Sequence, residues 1–192
     1  MTQYSSTITK EELALLPIEE YKGRVIVIDQ MKDANRAVEF LSQQLRVGFD
    51  TETRPSFKKG QRYKIALMQV ATDDVCFLFR LNKTGFPNSL EAFLCNKAIL
   101  KIGLSLRDDF GAIKKRTNIE PANFLDLQNY VGRFGITDAS LQKIYAIMFG
   151  KKISKGQRLT NWEAPNLTEL QQKYAALDAW ACLRIYNQLN KE

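Results

Sequence analysis

Five short apolar segments in the first half of the chain decide what it can fold into. RVIVI (24–28), RVGFDTE (46–52), KIALMQVA (64–71), VCFLFRL (75–81) and AILKIG (98–103) are rich in β-branched and aromatic residues, and each has the length of a strand. Between the first two, DANRAVEFLSQQL sets Ala34, Ala37, Val38, Leu41 and Leu45 at helical spacing, and a turn-like TDD separates the third from the fourth. A short helix from about Ser89 to Cys95 precedes the fifth strand. The second half is mostly helical, through SLQKIYAIMFG and a long final helix from Thr168. Thr9 with Glu12, and Thr168 with Gln171, have the spacing of capping boxes, and Pro17 helps to end the first short helix. Strands concentrated early, with helices interspersed and following, predict an α/β domain with a mixed sheet of five to six strands flanked by helices.

The chain has 192 residues, 45% of them hydrophobic, enough to bury a core without staples as one domain over 1–192, with residues 1–22 as an N-terminal helical extension. Lys and Arg outnumber Asp and Glu by 28 to 21, a net +7, which suits a polyanionic partner and equally a plain basic protein. Cys76, Cys95 and Cys182 are far apart in apolar runs without CxxC spacing, and read as buried thiols in a reducing compartment. The opening TQYSSTITKEELALLP lacks a signal peptide's basic start and apolar stretch, and no run approaches membrane-spanning length; a soluble cytoplasmic protein is the expectation. The most decisive count is of histidine, which is zero. Ser/His/Asp triads, histidine zinc sites and every imidazole acid or base are excluded, leaving carboxylates, tyrosine, lysine or metal-bound water for any catalysis.

In RVGFDTETRP two acids stand where the apolar pattern should continue. Strand alternation turns Val47, Phe49 and Thr51 to one face and Gly48, Asp50 and Glu52 to the other. The Cα atoms of Asp50 and Glu52 are then roughly 6.6 Å apart, close enough for both carboxylates to meet one cation. The segment alone fits equally a frayed strand end whose acids are solvated or paired with Arg54. YAALDAWACL, by contrast, is apolar nearly all round, so Asp178 lies inside a deeply packed helix where an unpaired carboxylate is expensive, and Tyr174 shares its face one turn earlier. A structural Asp bridged to Lys or Arg is the plainer reading, weakened by the second isolated acidic site. KIGLSLRDDFGAI places Asp108 and Asp109 at a strand-to-helix passage, where either acid suits the helix dipole. Asp126, in NFLDLQ, has no paired partner and reads as structural or supporting.

These motifs resemble, in order and kind, those of the DEDDy subgroup of DnaQ-like 3′–5′ exonucleases, especially the Werner-type exonuclease domain and the catalytic domain of ribonuclease D. FDTE is similar to the first motif, DxE; KIGLSLRDDF to the second; YAALDAW to the third, YxxxD, approached through a run beginning at NW, Asn161–Trp162. The resemblance covers about residues 25 to 190. In the second motif the aspartate falls six residues after the glycine, which from Gly103 selects Asp109 over Asp108. The absence of histidine fits the tyrosine subgroup.

The resemblance implies a ribonuclease H-like fold and metal-dependent hydrolysis of a phosphodiester from a free 3′ end, releasing nucleoside 5′-monophosphates. An all-oxygen set of four carboxylates suits two Mg²⁺ or Mn²⁺ ions. By the resemblance Asp50 bridges both ions, Glu52 and Asp178 bind the nucleophile-side ion, Asp109 reaches the other through water, and Tyr174 orients the attacking water. RPSFKKGQRYK (54–64) holds five cations and no acid, and KKISKGQR (151–158) four more. Each alone is an ordinary solvated loop; beside an acidic centre Arg54, Lys58, Lys59, Arg62, Lys155 and Arg158 become phosphate rails, with Phe57, Tyr63 and Trp162 as stacking surfaces unless Trp162 is core. The expected partner is a DNA or RNA 3′ end. The chain ends about fifteen residues after Asp178, which leaves no room for a helicase or C-terminal binding domain and suggests a stand-alone nuclease or one targeted by a protein partner. A catalytically silent nucleic-acid-binding module of the same fold is the alternative.

Overall fold

A computed structural model describes residues 4–58, 60–61 and 63–191. The strands are β1 (Arg24–Ile28), β2 (Arg46–Thr53), β3 (Ile65–Ala71), β4 (Val75–Arg80), β5 (Leu100–Gly103) and β6 (Phe124–Asp126). The helices are α1 (Lys10–Leu15), α2 (Met31–Leu41), α3 (Leu81–Thr84), α4 (Asn88–Cys95), α5 (Leu106–Ile113), α6 (Leu127–Tyr130), α7 (Leu141–Phe149) and α8 (Glu169–Leu189). One six-stranded sheet runs in the order β1-β4-β3-β2-β5-β6. β3 is antiparallel to β2 and β4, and the remaining pairs are parallel, so the sheet is mixed as expected.

Both faces of the sheet are covered, which is why every residue of β3 is buried and its sequence shows no polar alternation. On one face Val47, Phe49, Met68, Val70 and Phe79 pack against residues of α2, α4 and α5. On the other, Leu67, Ala71 and Leu78 meet the alanine-rich flank of α8, with Ile144 and Tyr145 of α7 and Trp162 alongside. Both capping boxes form, Thr9 with Glu12 and Thr168 with Gln171, so α1 and α8 begin where their sequences signal. β6 has only three residues, too few to show a period, and it pairs with β5 as an edge strand. Cys76 and Cys182 are buried, whereas Cys95 is only partly so. Among the described residues no helix is long and apolar enough to cross a membrane.

The N-terminal segment ties down a distant loop. Glu19 N–H donates to Lys152 O and Lys152 N–H to Pro17 O, each at 2.9 Å, forming a single bridge between Ile18 and Lys152. Below it Glu19 is buried and accepts from the Tyr145 hydroxyl at 2.8 Å, Lys151 at 3.0 Å and Arg184 at 2.8 Å.

Candidate active site

Gly48 sets the depth of the site. A Cβ built there would stand 1.9 Å from the Ala179 carbonyl oxygen, so only a residue without a side chain lets α8 settle on β2 at this distance. The residue of α8 just before Ala179 is Asp178, and the next two positions of β2 on the Gly48 face are Asp50 and Glu52. One ligand oxygen from each of Asp50, Glu52 and Asp178 lies within 4.8 Å of the others. The β2–β3 register stays regular through Glu52 and shifts only between Glu52 and Thr53, so both acids belong to the ladder and not to a frayed end. Arg54, the partner of the alternative reading, pairs instead with Glu163 at 3.5 Å and lies over the Tyr63 ring at 4.9 Å.

Three carboxylates at this depth cannot all be comfortably charged without a cation. Burial, then the neighbouring Asp178, Glu52 and Asp109, push the Asp50 pKa well above the carboxylate range. Burial and Asp178 push Glu52 up to about 9, against the opposing charge of Arg158. Burial raises Asp178 to about 7, with a hydrogen bond from Tyr174 and the charges of Arg158 and Lys155 pulling the other way. Burial and the surrounding carboxylates also raise Tyr174, so its hydroxyl keeps its proton at neutral pH.

Asp109 and Asp108 separate clearly. Asp108 is exposed, while Asp109 is half-buried and accepts a hydrogen bond from Thr51 Oγ1. Burial raises Asp109 to about 6. It stands outside the group of three yet is near enough to raise Asp50 and Glu52. Its helix is aimed by Asp126, whose carboxylate accepts from Ser105 N–H at 2.9 Å and Leu106 N–H at 3.0 Å and so holds Ser105 at φ +59° where α5 starts. That is the supporting role expected of Asp126. Sequence reasoning passes over Thr51 and the role of Gly48, although a strand glycine on the acids' own face signals a close backbone approach.

The acids open into a cleft of about 380 Å³ that Lys155, Arg158, Tyr174 and Ser105 also line. A second hollow of about 300 Å³ is lined by Arg54, Phe57, Lys58, Tyr63 and Leu159, with Phe57 84% exposed. Lys59 and Arg62 lie outside the described residues. Trp162 is the correction: it is fully buried, with Tyr174 packed at 6.0 Å between ring centroids, so it supports the tyrosine from within the core and has no face for a base.

Residues 25–192 match the family model described as 3′–5′ exonuclease. The chain is 30% identical over 184 residues to the bifunctional 3′–5′ exonuclease/ATP-dependent helicase WRN of Mus musculus, covering 91% of this chain and 13% of that protein. It spans 24% to 52% of the length of four further curated relatives it matches. Among solved structures, the Aedes aegypti Nibbler EXO domain superposes with a TM-score of 0.80 at 23% identity, covering 88% of this chain and 90% of that one. The Trypanosoma brucei RNase D complex with RNA U12 does so with a TM-score of 0.78 at 20% identity, covering 98% and 67%. These neighbours share the ribonuclease H-like fold. With its mixed sheet, its ordered acidic motifs and a family match over nearly its whole length, the chain belongs to the 3′–5′ exonuclease family.

Proposed function

We propose that this protein is a metal-dependent 3′–5′ exonuclease that hydrolyses the terminal phosphodiester of a DNA or RNA strand and releases nucleoside 5′-monophosphates. The observation that carries the reading is the convergence of Asp50, Glu52 and Asp178 within 4.8 Å, all with raised affinity for protons. A site that holds protons this tightly for want of counter-charge is one a cation would stabilise, and an all-oxygen donor set suits Mg²⁺ or Mn²⁺. Asp50, Glu52 and Asp178, with Asp109 beside them, are the residues that would hold two such ions. When bound, divalent ions lower the pKa of water and neutralise charge on the reacting phosphate and the leaving 3′-oxygen.

The chain's own groups supply the rest. Tyr174 stays protonated and lies one helical turn from Asp178, so it acts as a hydrogen-bond donor that orients water, not as a base. Lys155 and Arg158, on the cleft wall, attract the phosphates and anchor the strand end. Arg54 and Lys58, with Phe57 and Tyr63, offer a further place for the nucleotides behind it. Thr51 fixes the Asp109 carboxylate, leaving one of its oxygens aimed by a hydrogen bond.

The test is digestion of 5′-labelled single-stranded, duplex and recessed DNA and RNA with Mg²⁺ or Mn²⁺. A product ladder shortening from the 3′ end, with mononucleotide products and no activity in EDTA, is expected. Internal cuts, or activity that survives EDTA, would overturn the proposal; metal binding without digestion would favour the silent binding module.

A further inference from the structure

Gln69 lies directly across the β2–β3 ladder from Asp50. Directly opposed residues of an antiparallel pair leave the sheet on the same face with Cβ atoms about 5 Å apart, so Gln69 stands beside Asp50 on the side covered by α8. It is 0% exposed, and neither Nε2 nor Oε1 has a hydrogen-bond partner. The residues flanking it in that layer, Leu67, Ala71 and the cross-strand Leu78, are apolar.

An amide left unpaired in a core costs about 1–3 kcal/mol, and packing does not demand one here, since Leu or Met fills a similar volume. Other buried polar side chains on α8 and against it are treated differently. Gln171 donates to Thr160 Oγ1 at 3.0 Å and to Asn161 O at 3.4 Å, and Glu19 has its three donors. Among the described residues Gln69 alone has two such unpaired atoms.

We infer that Gln69 is a positioning residue for Asp50, its Nε2–H group being the donor that orients the Asp50 carboxylate when that carboxylate binds a divalent cation. The inference rests on the divalent-cation reading of the site. Carboxylates that ligate metals are themselves held by hydrogen bonds, and loss of such an outer partner typically costs about 10–100-fold in metal affinity. Gln69 is suited to that task because it starts on a neighbouring strand in fixed register, and its long side chain can follow the oxygen it holds.

The experiment measures Mn²⁺ binding by calorimetry without nucleic acid, and thermal unfolding in EDTA, for wild type, Gln69→Leu, Gln69→Met and the control Asp50→Asn. Both Gln69 variants should melt at or above the wild-type temperature, because an unpaired amide has been replaced by an apolar group of like size. Both should bind Mn²⁺ about tenfold more weakly. If wild type binds no Mn²⁺, the cation reading itself fails. If wild type binds, Asp50→Asn does not, and the Gln69 variants bind like wild type, the cation reading stands and the positioning role is overturned. Variants that melt well below wild type or do not fold also overturn it, since the amide would then have partners within the core.

Discussion

Two groups of acids gather at the same helix, α8, and are resolved in opposite ways. Toward one end of α8, Glu19 is enclosed with Lys151 at 3.0 Å, Arg184 at 2.8 Å and the Tyr145 hydroxyl. Burial alone would raise its pKa, but the hydrogen bonds from Tyr145, Lys151 and Arg184 outweigh it and hold the group below its usual value. At the middle of α8, Asp50, Glu52 and Asp178 meet one another, with Lys155 and Arg158 only on the cleft wall, and their pKa values go up. Burial pushes upward on the acids of both groups. What differs is that Glu19 is hydrogen-bonded by two cations and a hydroxyl, whereas Asp50, Glu52 and Asp178 have chiefly one another for neighbours.

Substitution at each centre separates the two most clearly. Asp178→Asn should remove metal-dependent digestion by at least about 100-fold while the fold persists, because a buried like charge is removed and little volume changes. Retained turnover in pure Asp178→Asn would sink the catalytic assignment. Glu19→Ala should do the converse, lowering stability by about 1–3 kcal/mol in denaturant titration by removing the acceptor shared by Tyr145, Lys151 and Arg184, with digestion preserved below the melting range.

Gly48→Ala probes the distance between the two elements. The methyl group meets the Ala179 carbonyl, α8 must move outward, and Asp178 leaves its partners. We expect about 1–3 kcal/mol of destabilisation and weaker Mn²⁺ binding than in wild type; unchanged Mn²⁺ affinity would show that α8 is not held at its depth by this contact.

The pH dependence of stability in EDTA should follow the acid site. A carboxyl with a raised folded pKa keeps a proton that the unfolded chain, titrating near about 4, has already released. Its stabilising contribution is complete below that unfolded value and is lost as pH rises through about 7 for Asp178 and about 9 for Glu52. The melting temperature in EDTA should therefore fall from about pH 5 to about pH 8, and Mn²⁺ should restore it at the upper end. A melting temperature that rises over this range without metal would contradict the uncompensated site. The smallest effect belongs to the rim: reversing Lys155 and Arg158 to Glu should weaken substrate binding and lower the salt slope by about 1 for each phosphate that is no longer neutralised.

Most of the frame is legible in the sequence because it rests on local chemistry. The strands of residues 24–103 have clear β composition, and both capping boxes are sequence-adjacent signals that survive in the structure. Asp50, Glu52 and Asp178 stand out because each breaks an apolar pattern. Trp162 does not place itself, since an NW pair has no periodicity to say which side faces the solvent, and it is fully buried. The Thr51–Asp109 hydrogen bond and the Gln69–Asp50 register join segments whose meeting depends on sheet order, which no single segment encodes. The N-terminal segment shows the same limit: its tie to Lys152 links positions far apart in the chain.

That tie bears on how the protein breathes. The loop carrying Lys155 and Arg158 is fastened at Lys152 by two backbone hydrogen bonds to Pro17 and Glu19, whereas the acids are set into the sheet and α8. Lys152 Nζ also donates to Ala14 O, Lys151 pairs with Glu19, and Gln142 Nε2 donates to Ile153 O. These ties join one loop to its neighbours, so opening them is a more local event than unfolding the sheet. In amide hydrogen exchange the Glu19 and Lys152 amides should therefore lose protection well before those of β2 and β3. That order of exchange is expected of a basic wall held by loop contacts above carboxylates held by the sheet and α8.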